Sequence, residues 1–227
     1  LVALATTLTC PGVVFAQFAA DDVLLQMQQA SRKQDLRTLT SLLPAIQDHP
    51  LEVWGHYWAL KARLSSATAQ EVEDFLQRWR GTYQEDRLRN DWLLLLGQRR
   101  NWAEFERLHT EFRMQDDKQL RCYDLAIASI EGRLPQHAST ELQQLWMGQP
   151  ANDDGCTYAA STLYAAEQLP ALAVWQRARL GAERNQLSTA RNALGIVAPQ
   201  QEAGLAGQIK SFPLSPSAAA DKTHVVY

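Results

Sequence analysis

The sequence predicts an all-α fold made of repeated helix pairs, and three observations carry that prediction. Apolar residues keep a helical spacing almost without interruption from Asp21 to Leu194. Helix-start and helix-stop residues punctuate this span, whereas runs of β-branched residues and hairpin dipeptides are nearly absent. Two series of apolar positions also recur with a period near 34 residues, the length of a tetratricopeptide-type unit of two helices.

In chain order, Val23, Leu24, Met27 and Ala30 mark one helix face, and Leu36, Leu39, Leu42 and Leu43 mark the next. Thr68-x-x-Glu71 and Thr82-x-x-Glu85 have the form of capping boxes, in which hydroxyl and carboxylate satisfy two backbone donors that the helix itself cannot. Asn101 before Glu104, and Asp116 before Gln119, read as further starts; Gly81, Gly132, Pro135, Gly148 and Pro150 read as ends. The run Trp92 to Leu96 is apolar on every side of a helix and belongs deep in the core. Each Trp, by its helical spacing, fits the core as well.

The repeat rests on two series in the same phase. Leu24, Trp58, Trp92, Tyr123 and Tyr158 are separated by 34, 34, 31 and 35 residues; Leu42, Leu76, Leu108, Leu142 and Val174 follow at 34, 32, 34 and 32. A helix pair of this kind cannot bury its apolar face alone, so successive pairs are expected to stack into a right-handed superhelix. The span 17–198 is assigned to this repeat domain. Beyond it Pro199, Gly204, Gly207 and the stretch Phe212-Pro213-Leu214-Ser215-Pro216 break the pattern, so 199–227 reads as a linker or the start of further helices.

Composition narrows the class. The chain has 227 residues, 46% of them hydrophobic, with seven Trp, enough to bury a substantial core. Its 22 basic and 25 acidic residues give a net charge of −3, with no concentrated basic stripe for nucleic acid. The densest charged run has Arg78, Arg80, Arg87 and Arg89 interleaved with Glu85 and Asp86, and reads as a solvated helix face. Residues 1–16 are almost uncharged, carry Pro11-Gly12, and end in Val14-Phe15-Ala16, so they read as part of an export signal that would take Cys10 with it. No stretch is long enough for a membrane span. The mature chain is therefore expected to be exported and to keep two cysteines.

Those two are Cys122 and Cys156, one repeat apart and each close before a repeat aromatic. An even pair in an exported chain, at equivalent positions of adjacent units, is expected to form a disulfide. Other chemistry is sparse. His49, His56, His109, His137 and His224 are scattered without metal-ligand spacing. Asp116-Asp117 and Asp153-Asp154 stand where helices begin, where carboxylates favour the helix dipole. There is no phosphate loop and no nucleophile elbow. No catalytic, cofactor-binding or metal residue is therefore nominated.

Several motifs in order resemble a known family. The segment Phe75-Leu76-Gln77-Arg78-Trp79-Arg80-Gly81-Thr82-Tyr83, running into Asp86-Arg87-Leu88-Arg89-Asn90-Asp91-Trp92-Leu93, is similar to the Gly-Thr turn and Arg-Leu-Arg-x-x-Trp-Leu helix of soluble lytic murein transglycosylases. Arg121-Cys122-Tyr123, then Leu145-Trp146 with Pro150 and Cys156, then Val174-Trp175-Gln176-Arg177-Ala178-Arg179 resemble later positions of the same N-terminal, U-shaped superhelical domain. The resemblance spans 51–194. It implies a periplasmic lyase that cleaves the MurNAc–GlcNAc bond of peptidoglycan to a 1,6-anhydro product, with glycan strands as substrate and cell-wall synthesis proteins as partners. One glutamate of a C-terminal lysozyme-like domain would act as acid and then base. In that family this glutamate precedes a Ser, and here no Glu does; the Gly-Leu-Met-Gln motif is absent too. The expectation is a helical scaffold without its catalytic domain. The alternative is a stand-alone periplasmic repeat protein that binds peptides or proteins.

Overall fold

The computed structural model describes residues 12–199, which hold eleven α-helices and, among the described residues, no strand. The helices are α1 (Gly12–Arg32), α2 (Leu36–Leu42), α3 (Glu52–Lys61), α4 (Ala69–Arg78), α5 (Tyr83–Gln98), α6 (Trp102–His109), α7 (Lys118–Ile130), α8 (Ala138–Met147), α9 (Asp154–Ala165), α10 (Ala171–Glu183) and α11 (Leu187–Val197). Short 3₁₀ turns follow α2 and α3, at Leu43–Ile46 and Leu64–Ser66. The all-α class holds. Cys10, His224 and the segment 200–227 lie outside the described residues, as do the first eleven residues of the expected export signal. The helix α1 runs across the expected boundary at Ala16.

Side-chain capping begins five of the helices, α2, α4, α5, α7 and α9. At α4 the Thr68 hydroxyl accepts from the Glu71 N–H at 3.2 Å while the Glu71 carboxylate accepts from the Thr68 N–H at 2.8 Å, a complete capping box. The second expected box is altered. Thr82 does accept from the Glu85 N–H, but the Glu85 carboxylate accepts from the Gly81 N–H, one residue earlier. Asp117 and Asp153 cap α7 and α9 through side-chain oxygens, so the two acidic pairs do begin helices. Gly81 and Gly132 sit at φ +85° and +70°, where a Cβ would be strained.

The chain divides into two compact units, Leu1–Leu95 with Arg107–Met114, and Leu96–Glu106 with Gln115–Tyr227. In the first unit α1 packs on α2 and α3, around Leu24, Met27, Leu39, Ile46 and Ala59. In the second, α7 packs on α8 and α9, α8 on α9 and α10, and α11 on α9 and α10. Leu125, Leu142, Trp146, Leu163, Val174 and Leu194 are buried in its core. The second repeat series faces inward almost throughout, with Leu76, Leu108, Leu142 and Val174 all buried. Of the aromatic series, Trp92 and Tyr123 are buried, whereas Trp58 and Tyr158 are half-buried.

Two expectations need correction. The charged run is only in part a solvated face: Arg78 and Arg80 are exposed, but Glu85, Asp86 and Arg89 are 1%, 2% and 3% exposed. The Arg89 Nη2 donates to the Glu85 carboxylate at 2.5 Å and to Glu111 at 3.0 Å, and Arg113 pairs with Glu85 at 2.8 Å. Asp86 accepts from the backbone N–H groups of Arg113 and Met114 at 3.1 and 2.8 Å. The mixed charges thus tie the first turns of α5 to the segment that follows α6. Burial pushes the Glu85 carboxyl up, but hydrogen bonds from Arg89 and Arg113 outweigh it and hold it below the ordinary value. The second correction concerns the tryptophans. Only Trp92 and Trp146 are fully buried; Trp54, Trp58, Trp79 and Trp102 are half-buried, and Trp175 lies exposed.

Candidate functional site

The nominated pair comes together in the second unit. The Cys122 and Cys156 sulfurs stand 2.04 Å apart, with Cα atoms 4.8 Å apart and both residues fully buried. The spacing follows from close helix packing. Gly155 lies against α7 so tightly that a Cβ there would come within 2.5 Å of the Gln119 carbonyl oxygen. A residue with a side chain at 155 would push α9 away and pull the sulfurs apart. The neighbouring Asp153 carboxylate accepts from the Cys156 N–H at 2.7 Å, fixing the helix start that carries the cysteine.

A second tie sits one residue along. Arg100 donates through both Nη atoms to the Asp154 carboxylate, at 2.5 and 3.0 Å, and lies 3.9 Å over the Tyr158 ring. Tyr123 donates to the same carboxylate at 2.5 Å. Burial pushes Asp154 up, but Arg100 and Tyr123 outweigh it and keep it low, whereas burial dominates at Asp153 and holds it above the ordinary value. Two adjacent carboxyls driven apart in this way can resemble an acid–base pair. Here one oxygen of Asp153 serves a helix cap, and Asp154 is held by an arginine and a tyrosine.

Among the described residues no group of three or more His, Cys, Asp and Glu is arranged to hold a metal, and no helix is long and apolar enough to cross a membrane. His49 is buried and bonded: Leu51 N–H donates to its Nδ1 at 3.1 Å, so its Nε2 carries the proton towards Asp21 at 2.9 Å. His56 and His109 stack against Trp79 and Phe112, and His137 is exposed.

A concavity with mixed apolar and polar walls lies elsewhere, in the first unit, where α1 and α3 leave a cleft of about 730 Å³. This volume falls within the range of small-molecule sites. Leu24, Leu25, Leu51, Trp54 and Trp58 supply its apolar wall, and Asp21, Gln28, Ser31 and Arg32 supply the polar one. The aromatic surface continues beyond the cleft. Trp54 lies 5.6 Å from Trp58 and 6.0 Å from Tyr83 between ring centroids, so three rings form a run. Beside it Tyr57 donates to Asp91 at 2.8 Å, and Lys61 donates to both at 3.0 and 3.1 Å. Sequence reading missed this run because helical spacing alone cannot say which side of a half-buried helix faces a neighbour. The clue was the pair Trp54 and Trp58, four residues apart and flanking the buried Tyr57.

Comparison with protein-family models, with curated proteins and with solved structures finds no match to this chain.

Proposed function

We propose that this chain is the N-terminal helical scaffold of a periplasmic lytic transglycosylase, with the sugar-cleaving domain outside these 227 residues. The observation that carries the reading is the Arg87-Leu88-Arg89-x-x-Trp92-Leu93 segment, in which each residue has a defined structural duty. Leu88, Trp92 and Leu93 are buried, and Arg89 is the hub of the buried ion network. Arg87 sits beside Tyr57 and Asp91, whose charge and hydrogen bonding support its protonated form against desolvation. Later motif residues behave alike. Arg121 clamps Glu141 at 2.6 and 3.0 Å, and buried Arg177 donates to the carbonyls of Gln149 and Ala151 at 3.2 and 3.0 Å.

A stacked-repeat superhelix is the architecture that goes with this reading. Side-chain ties that span 34 residues, one repeat, support it: Tyr57 to Asp91, Arg107 to Glu73, and Cys122 to Cys156. So does the packing of α7 on α9, α8 on α10 and α9 on α11 in the second unit. The paired cysteines support an oxidising compartment such as the periplasm.

The test has two arms. The gene product extended downstream should release 1,6-anhydro-muropeptides from purified sacculi, detected by mass spectrometry, and these 227 residues alone should release none. Turnover by the isolated chain would place an active site within it. A downstream reading frame without a Glu-Ser pair and a Gly-Leu-Met-Gln run would favour the stand-alone repeat protein instead. That alternative is favoured by the lack of either motif in the chain itself.

A further inference from the structure

We infer that the groove between α1 and α3 docks an amphipathic helix of a partner protein, antiparallel to α1, with an acidic residue in its first turns and a basic residue about three turns later. Register comes first. Asp21, Leu24, Leu25, Gln28, Ser31 and Arg32 line the groove at i, i+3, i+4, i+7, i+10 and i+11, one stripe of α1. Leu51, Trp54 and Trp58 line it at i, i+3 and i+7 from α3 and its N-cap. The two stripes lie close, because Gly55 of α3 sits against α1: a Cβ there would fall 2.8 Å from the Met27 Cε. Between them the trough keeps open apolar surface, with Leu25 and Leu51 58% and 51% exposed. A groove between two packed helices takes the side-chain ridge of a third. An extended peptide fits it less well. The groove presents side chains and no sheet edge, so a strand would lose water from its backbone without gaining partners, whereas a helix satisfies its own.

Charge then sets the direction. The lining is neutral as a whole, because Asp21, half exposed and 2.9 Å from the His49 Nε2, balances Arg32. The two charges are separated, however, by eleven residues of α1, about 16 Å along its axis. A complementary partner carries a cation opposite Asp21 and an anion opposite Arg32. A helix antiparallel to α1 has its N-terminus at the Arg32 end, where its own dipole also favours an acidic residue. Its C-terminus lies at the Asp21 end, where the dipole favours a basic one. A parallel helix would set both charges against its dipole. Between the charged ends, apolar side chains of the partner would cover Leu25, Leu51 and the two indoles, and flanking polar ones would meet Gln28 and Ser31. All these residues lie beyond Ala16 and stay in the chain if an export signal is removed there. The inference goes beyond the scaffold reading and stands without it.

The experiment titrates the purified chain into two fluorescein-labelled synthetic peptides, each long enough for about five turns of helix, and follows their anisotropy. Both have blocked ends, leucines at i, i+4 and i+7 on one face, and alanine and glutamine elsewhere. One carries Glu in its first turns and Lys eleven residues on; in the other the two are exchanged. The first should bind about tenfold more tightly, as two surface attractions replace two repulsions, and lose that advantage at high salt. In the double variant Asp21→Lys, Arg32→Glu the preference should invert. Leu25→Glu, at an exposed leucine, should weaken both peptides by about tenfold or more, with helicity and melting temperature matching the parent's. Equal binding of the two peptides, a preference that survives the charge reversal, or no binding at millimolar concentration overturns the proposal. So does neutral chitotetraose that saturates the groove while neither peptide binds, which would assign the rings to a sugar. A stable dimer in light scattering that Leu25→Glu dissolves overturns it as well, since a second copy would then fill the groove.

Discussion

Breaking the Cys122–Cys156 link should cost the fold about 4 kcal/mol on the chain-entropy model, for a closed loop of 34 residues. The figure comes from the unfolded chain, which regains freedom when the cross-link goes. Little of it should be lost to poor fit, because Cα atoms 4.8 Å apart lie within the range that disulfides span without backbone movement. The double variant Cys122→Ala, Cys156→Ala is the cleaner perturbation, since it leaves no thiol at either position to titrate or re-oxidise. With a urea dependence of roughly 2 kcal/mol per molar, the midpoint should fall by about 2 M. Intact mass after alkylation without reductant gives the bonded state directly, in material made in an oxidising compartment. Coincident urea curves for parent and variant, or two freely alkylated thiols in the parent, would refute the reasoning and the repeat phase behind it.

Three further outcomes follow from the packing. Trp92→Ala should destabilise by about 3–5 kcal/mol, as a large side chain leaving a sealed core, while Trp175→Ala at an exposed site should cost under about 0.5 kcal/mol; equal urea midpoints for the two would show that their burial is misassigned. Arg89→Met should cost about 3 kcal/mol, the low end for breaking a buried ion pair, because Arg113 still faces Glu85 and backbone N–H groups still hold Asp86, and Glu85→Gln in the same background should recover part of that loss in a double-mutant cycle. Glu71 is held down to about 2 by its hydrogen bonds from Arg63 and Thr68, so its folded value lies below its unfolded one. The stability it contributes is present above the ordinary value of 4.5 and is lost as pH falls towards about 2. Glu71→Gln should therefore flatten the acid limb of a melting-temperature profile, and an unchanged slope would count against that hydrogen bonding.

The helix content was legible because its signals are local. Thr68 and Glu71 need only each other, and Asp117 and Asp153 need only the next turn. The Cys122–Cys156 pairing was legible from spacing, because the two cysteines, 34 residues apart, stand on α7 and α9, which pack directly on one another. The buried ion network was not. Arg87 and Arg89 differ in environment only because one faces Tyr57 and Asp91 while the other meets Glu85, Glu111 and the Leu108 carbonyl. That sorting depends on which helix lies opposite. Several turns were invisible for another reason: Gln34, Arg100, Glu167 and Asn185 end helices at positive φ without being glycine, so the usual stop signal is missing. The aromatic cleft escaped because a half-buried Trp and a core Trp have the same helical spacing.

The start of α9 concentrates restraints of independent physical kinds. Asp153 caps the backbone, Asp154 takes a bidentate arginine and a tyrosine hydroxyl, Gly155 permits contact with α7, and Cys156 supplies the covalent link. These four consecutive residues answer different threats. Reduction removes only the cross-link, acid weakens the Asp154 pairing, and salt weakens neither the bond nor the close packing. A binding surface that adapts to its partner gains nothing from such redundancy, because ordering here forbids α9 from moving against α7. A frame that must hold other parts at fixed positions does gain from it. On the scaffold reading, α7 and α9 should therefore be the last helices to exchange their amide hydrogens, and reduction alone should leave that ranking intact. If reduction makes α9 exchange as fast as the helix ends, the cross-link carries the rigidity by itself and the polar ties around it are secondary.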